Sequence, residues 1–77
     1  MDSSGKKNVL IIEDDISLSD NLSMFLSKKN FNAMVSHTGK EALISCLKHP
    51  PDLILSDIQL PDMSGFSLIQ ELKMNSN

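Results

Sequence analysis

An α/β domain built on a parallel sheet is what this 77-residue sequence predicts, and three observations carry the prediction. Strand-like segments alternate with segments of helical period, and such alternation implies parallel strands joined by right-handed crossovers. Two of the strand-like segments, Val9-Leu10-Ile11-Ile12 and Leu53-Ile54-Leu55, are continuous apolar runs, as in strands covered on both faces. A short run of this kind also fits a buried helical segment when read alone. Both runs end in acid, Glu13-Asp14-Asp15 after the first and Ser56-Asp57 after the second.

Met1 to Lys7 reads as a polar tail without a function of its own. The first strand covers about Asn8 to Ile12. From Ile16 to Lys29, Leu18, Leu22, Phe25 and Leu26 recur at helical spacing, with Ser17, Asp20, Asn21, Ser23 and Lys28 on much of the other face. Asn30 suits the left-handed position that closes a helix. Phe31, Ala33 and Val35 alternate with Asn32, Met34 and Ser36, which predicts an edge strand over 31–36. After the turn His37-Thr38-Gly39, a second helix from about Lys40 to Lys48 buries Ala42, Leu43 and either Cys46 or Leu47. Pro50-Pro51 then forbids its continuation. The third strand leads through a loop broken by Pro61 into a helix over Ser64 to Met74, with Ser64-Gly65 as its start signal and Phe66, Leu68, Ile69 and Leu72 facing inward. Residues 75–77 are a second polar tail.

In an open α/β sheet, ligands bind in the crevice outside the carboxyl ends of the strands. Two strands ending there in acid bring up to four carboxylates to one rim, from Glu13, Asp14, Asp15 and Asp57. Uncompensated, such a cluster repels itself and raises its own pKa values. A hard divalent cation relieves the repulsion, and Mg²⁺ takes one or two carboxylates while keeping waters for a phosphate. A carboxylate beside such an ion is a credible nucleophile toward phosphorus.

Glu13-Asp14 closing the first strand, Asp57 closing the third, Pro61 four residues on and Gly65 four beyond that resemble the receiver domain of two-component response regulators. The resemblance implies a flavodoxin-like, receiver-type fold, truncated here to β1-α1-β2-α2-β3-α3 with strand order 2-1-3. It implies Asp57 as phospho-acceptor and a histidine kinase as phosphodonor. It also implies Mg²⁺ held directly by Asp14 and Asp57, by Glu13 through water and by the backbone carbonyl of Gln59. Pro61 and Gly65 shape the loop. Receivers usually carry five β/α units, so residues 1–77 read as a partial receiver domain. The family's switch Ser or Thr and its phosphate-binding Lys have no counterpart in these residues, which predicts impaired phosphorylation. A third strand without an outer neighbour predicts self-association through its open edge or an exchanged element.

Composition narrows the function classes. Hydrophobic content of 40% and mean hydropathy of −0.09 belong to a globular chain. A net charge of −3 argues against nucleic acid or an anionic membrane as the partner. No apolar stretch is long enough to span a bilayer, and no signal-peptide core precedes the first strand. A single cysteine, Cys46, forms no internal disulfide, which points to a reducing cytoplasm. Walker-type, G-x-G-x-x-G and G-x-S-x-G motifs are absent. A haloacid-dehalogenase-like phosphatase would need a second Asp where Gln59 stands.

Bland readings compete for several residues. Asp15 and Asp62 read as helix-start or loop acids rather than ligands. Cys46 reads as a small core residue, and His37 and His49 lack metal-binding neighbours. Two functions remain: a phospho-acceptor signalling module rather than a free-standing enzyme, and an assembly half-domain with a vestigial acidic site.

Overall fold

The middle of the molecule is β1 (Asn8–Ile12), whose Val9 to Ile12 are almost fully shielded from solvent. The computed structural model describes residues 5–57 and 59–74; the expected tails over 1–4 and 75–77 lie outside them. β1 pairs in parallel with β2 (Asn32–Ser36) on one side and with β3 (Leu53–Ser56) on the other, giving the order β2-β1-β3. The expected strand order is the observed one, and β2 is an edge strand as its alternation predicts. β strands this short need their ends tied. At the lower end Asn8 N–H donates to Asp52 Oδ2 at 2.7 Å, and Asn32 Nδ2 donates to Asn8 Oδ1 at 2.7 Å.

α1 (Ile16–Lys28) begins at Asp15, whose carboxylate accepts from Leu18 N–H at 3.1 Å, and closes through Asn30 at φ 70°. α2 (Gly39–Lys48) begins at Thr38, whose hydroxyl accepts from Glu41 N–H at 3.1 Å. Glu41 reaches back to accept from His37 N–H at 3.0 Å. α3 (Gly65–Met74) starts after Ser64, which accepts from Ser67 N–H at 3.1 Å.

The two faces of the sheet are covered unequally. Leu10 and Ile12 form a buried core with Ala42 of α2, Leu60 of the following loop and Leu68 of α3. Met34, Leu43, Cys46, Ile54, Met63 and Leu72 pack against it, so Cys46 rather than Leu47 is the inward residue of α2. Truncating Leu68, which is fully buried, to alanine carries the usual core cost of ~2–5 kcal/mol. On the opposite face α1 lies over β1 and β2.

Three expectations about burial need correction. β3 is covered on one face only: Ile54 packs in the core, while Leu53 is 50% and Leu55 38% exposed, because α1 does not extend over this strand. In α1, Leu18 and Phe25 are exposed and Ser19 is fully buried. A serine tolerates this position because its hydroxyl donates to the Ile16 carbonyl at 2.9 Å, so no polar group is stranded. Phe25 instead carries the Lys29 ammonium 5.6 Å from its ring centre. In α3, Leu68 is buried and Leu72 half-buried, but Phe66 and Ile69 are exposed. Among the described residues no helix is long and apolar enough to cross a membrane.

Candidate functional site

The register of the sheet builds the site. Ile12 stands opposite both Ser36 and Ser56, so the three strands finish level. Pairing continues one residue further on each side. Glu13 N–H donates to the Ser36 carbonyl at 3.0 Å, and Asp57 N–H donates to the Ile12 carbonyl at 3.0 Å. Backbone bonds thus fix the Cα positions of the two acids before any side-chain contact is made.

Glu13, Asp14 and Asp57 each bring a carboxylate oxygen within 4.8 Å of the other two. Glu13 and Asp57 are half-buried and Asp14 is exposed. Opposing influences act on Glu13. The largest is the Asp15 N–H, which donates to Glu13 Oε2 at 3.1 Å and favours the anion. Partial burial, the carboxyl hydrogen bond with Asp14 and the charges of Asp57 and Asp14 outweigh it together, and the pKa is raised.

Oxygen ligands alone, three carboxylates on one open rim, suit a hard divalent cation and poorly suit a thiophilic one. Two oxygens bound to one Mg²⁺ at ~2.0–2.1 Å stand about 3–4 Å apart, so a spread within 4.8 Å needs only small side-chain rotations. Beside the acids lies an open depression of about 210 Å³, walled by Ile11, Leu22 and Leu55 together with Glu13, Ser56 and Asp57.

The remaining sequence-derived residues distribute around this rim. Asp15 is the cap of α1, as its bland reading has it. Gln59 is exposed, and its N–H points to Asp57 Oδ1 at 3.4 Å, while its backbone bridges antiparallel to Ser64. Pro61 is exposed at the tip of the loop and Gly65 is buried at the start of α3. Sequence reasoning missed two residues of this loop. Leu60 belongs to the core. Asp62 does not cap its own helix but reaches α2, where its carboxylate accepts from Gly39 and Lys40 N–H. The apolar flank of Leu60 could have been read as an anchor, whereas the partners of Asp62 are too distant in sequence to leave a local signal.

Comparison with known proteins agrees with this fold. The family model described as "Response regulator receiver domain" matches residues 9–77. The chain is 46% identical over 66 residues to the response regulator mcs4 of Schizosaccharomyces pombe, spanning 86% of this chain and 13% of that one. It is 39% identical over 70 residues to the sensory transduction protein RegX3 of Mycolicibacterium smegmatis, spanning 91% of this chain and 31% of that one. Among solved structures, the chemotaxis response regulator CheY4 of Vibrio cholerae superposes with a TM-score of 0.87 at 30% identity, over 90% of this chain and 57% of that one. The chain therefore spans less than a third of these two curated relatives.

Proposed function

The chain belongs to the response regulator receiver family, and from that premise we propose that it accepts a phosphoryl group on Asp57 from a histidine kinase, with Mg²⁺ as cofactor. The observation that supports this most directly is the meeting of Glu13, Asp14 and Asp57 oxygens within 4.8 Å at the carboxyl end of the sheet. Relatives named as a response regulator and a sensory transduction protein fit two-component signalling, in which such modules are switches rather than free-standing enzymes.

In this reading an Asp57 carboxylate oxygen attacks phosphorus in line with the phosphohistidine nitrogen. The P–N bond breaks as the P–O bond forms, and the imidazole leaves with the electron pair. Bound Mg²⁺ supplies positive charge against the phosphoryl oxygens and the carboxylates. Asp14 and Asp57 would hold it directly, Glu13 through water, and the Gln59 carbonyl would complete the protein's share. Asp57 is fixed for attack by its backbone bond to Ile12, and the Gln59 N–H lies 3.4 Å from its Oδ1. Ser56 Oγ donates to the Asp57 carbonyl at 2.9 Å and stiffens the strand end further.

The residues at hand include no counterpart of the family's switch hydroxyl or phosphate-binding lysine, so phosphorylation of this chain is expected to be slow or substoichiometric. Incubation with a small acyl phosphate and Mg²⁺, followed by intact mass, tests both points. A mass gain of one phosphoryl group that disappears in Asp57→Asn supports the acceptor. Full, stable modification would overturn the expected impairment, and modification that persists in Asp57→Asn would overturn the assignment.

A second reading has its own observation. Leu53 and Leu55 are exposed on one edge strand, whose outer side has no strand partner among the described residues. Such an edge is a template for another strand, and self-association through it would make the chain an assembly module. Sedimentation over a range of concentrations separates the readings: a monomer throughout, with unfolding shifted upward by Mg²⁺, favours the phospho-acceptor alone.

A further inference from the structure

The loop between β3 and α3 is closed on itself and then fastened to a different helix. Gln59 bridges Ser64, and Leu60 N–H donates to the Met63 carbonyl at 3.1 Å, so residues 59–64 form a small closed turn. Leu60 and Met63 pack into the core from its underside. At its tip the Asp62 carboxylate straddles the start of α2, with Oδ1 accepting from Gly39 N–H at 2.8 Å and Oδ2 from Lys40 N–H at 2.9 Å. These two donors are among those a helix cannot satisfy within its own first turn, and an anion there also meets the positive end of the helix dipole.

A second contact, independent of Asp62, makes the same junction. Gly39 is buried, and a Cβ placed on it would stand 2.5 Å from Met63 Cγ and 2.6 Å from its Sδ. Glycine at this position lets the thioether lie directly against the helix. The turn is therefore held at its tip by charge-assisted bonds and along its side by close packing.

We propose that Asp62 and Gly39 form a latch that sets where the Gln59 end of this turn stands, making Asp62 a positioning residue for the acidic rim. The inference rests on the reading of Gln59 and the three acids as a Mg²⁺ site, but the latch itself is a property of the loop. Asp62 carries out this role through α2 and without touching the ion. Thr38 offers the control, because its hydroxyl caps the same helix start through Glu41 N–H and makes none of the loop contacts.

The test compares the full chain with Asp62→Ala, Asp62→Asn and Thr38→Ala by Mg²⁺ titration calorimetry, by thermal unfolding and by hydrogen exchange at the Leu60 amide. Residues one step removed from a metal typically change affinity ~10–100-fold, and Asp62→Ala is expected near ~10-fold weaker binding with faster Leu60 exchange. Asp62→Asn keeps one acceptor oxygen and removes the whole charge, so a latch predicts an intermediate loss, whereas a purely electrostatic effect predicts the same loss as alanine. Thr38→Ala is expected to lower the unfolding temperature while leaving Mg²⁺ affinity within about twofold and Leu60 exchange unchanged, since a cap stabilises the helix alone. Leu60 exchange that is the same in Asp62→Ala as in the parent chain overturns the latch, whether or not Mg²⁺ binds. A parent chain that binds no Mg²⁺, with Leu60 exchange still accelerated by Asp62→Ala, overturns the metal-site reading and keeps the latch.

Discussion

Two groups of acids stand within a few residues of one another in this molecule and live under opposite conditions. Asp15, Asp52 and Asp62 are each answered by backbone N–H groups, at Leu18, at Asn8, and at Gly39 and Lys40. Glu13, Asp14 and Asp57 chiefly face one another. The hydrogen bonds from Gly39 and then Lys40 hold Asp62 below the usual carboxylate range, while partial burial, with the neighbouring Asp14 and Asp57 adding to it, pushes Glu13 above it. Acids of the first kind stabilise the fold. Those of the second kind are the acids proposed here to hold a cation.

The sharpest break of this comparison is Asp14→Asn. On the proposed reading of Asp14 as a ligand, exchanging its anionic carboxylate for a neutral amide should weaken Mg²⁺ binding by at least the ~10–100-fold that residues one step removed from a metal cost, as read by calorimetry. The fold should survive, since Asp14 is exposed. Asp15→Ala probes the answered group. Removing an N-cap carboxylate costs ~1 kcal/mol, which for a domain of this size lowers the melting temperature by about 4–8 °C. Mg²⁺ affinity should change little, because the Asp15 N–H that serves Glu13 is backbone and is retained.

The smallest effect distinguishes the groups by sign. A raised folded-state pKa at Glu13 means that its contribution is most favourable at acid pH and is lost as pH rises through the raised value. At neutral pH without divalent cation, Glu13→Gln should therefore raise the melting temperature by about a degree or two, the mostly open site limiting the gain. That gain should vanish at acid pH and shrink in saturating Mg²⁺. Asp62 behaves inversely. Its depressed pKa gives stability present above the ordinary carboxylate range and lost as pH falls through the lowered value, so Asp62→Asn should be harmful at pH 7 and nearly neutral once the pH lies below that lowered value.

Much of this was legible in the residues. Element order, the edge position of β2, the left-handed Asn30 and the acid-tipped strands all follow from local pattern, and the resemblance carried by Glu13, Asp14, Asp57, Pro61 and Gly65 supplied the strand order. The failures are of one kind, in which a local pattern could not say what lies above it. Helical spacing admits more than one inward face for α1, and the sheet selects the one carrying Ser19. The apolar run of β3 reads as doubly covered, yet Ile54 packs in the core while Leu53 and Leu55 on the other face stay partly exposed. Phe66 and Ile69 share the periodicity of Leu68 and yet stay exposed. Asp62 pairs across 22 and 23 residues, a separation no helix or turn rule spans.

The level finish of the three strands also governs where this chain can accept insertions and deletions. Side chains alternate along a strand, so deleting one residue inside β1 would reverse the facing of the residues on one side of the deletion and put Glu13 out of step with Asp57. An added residue between α1 and β2, near Asn30, would disturb neither alignment and would be absorbed at the opposite end of the molecule. Length variation among related sequences should accordingly gather at the lower loops and spare the four residues Val9 to Ile12, whose count holds the acids abreast.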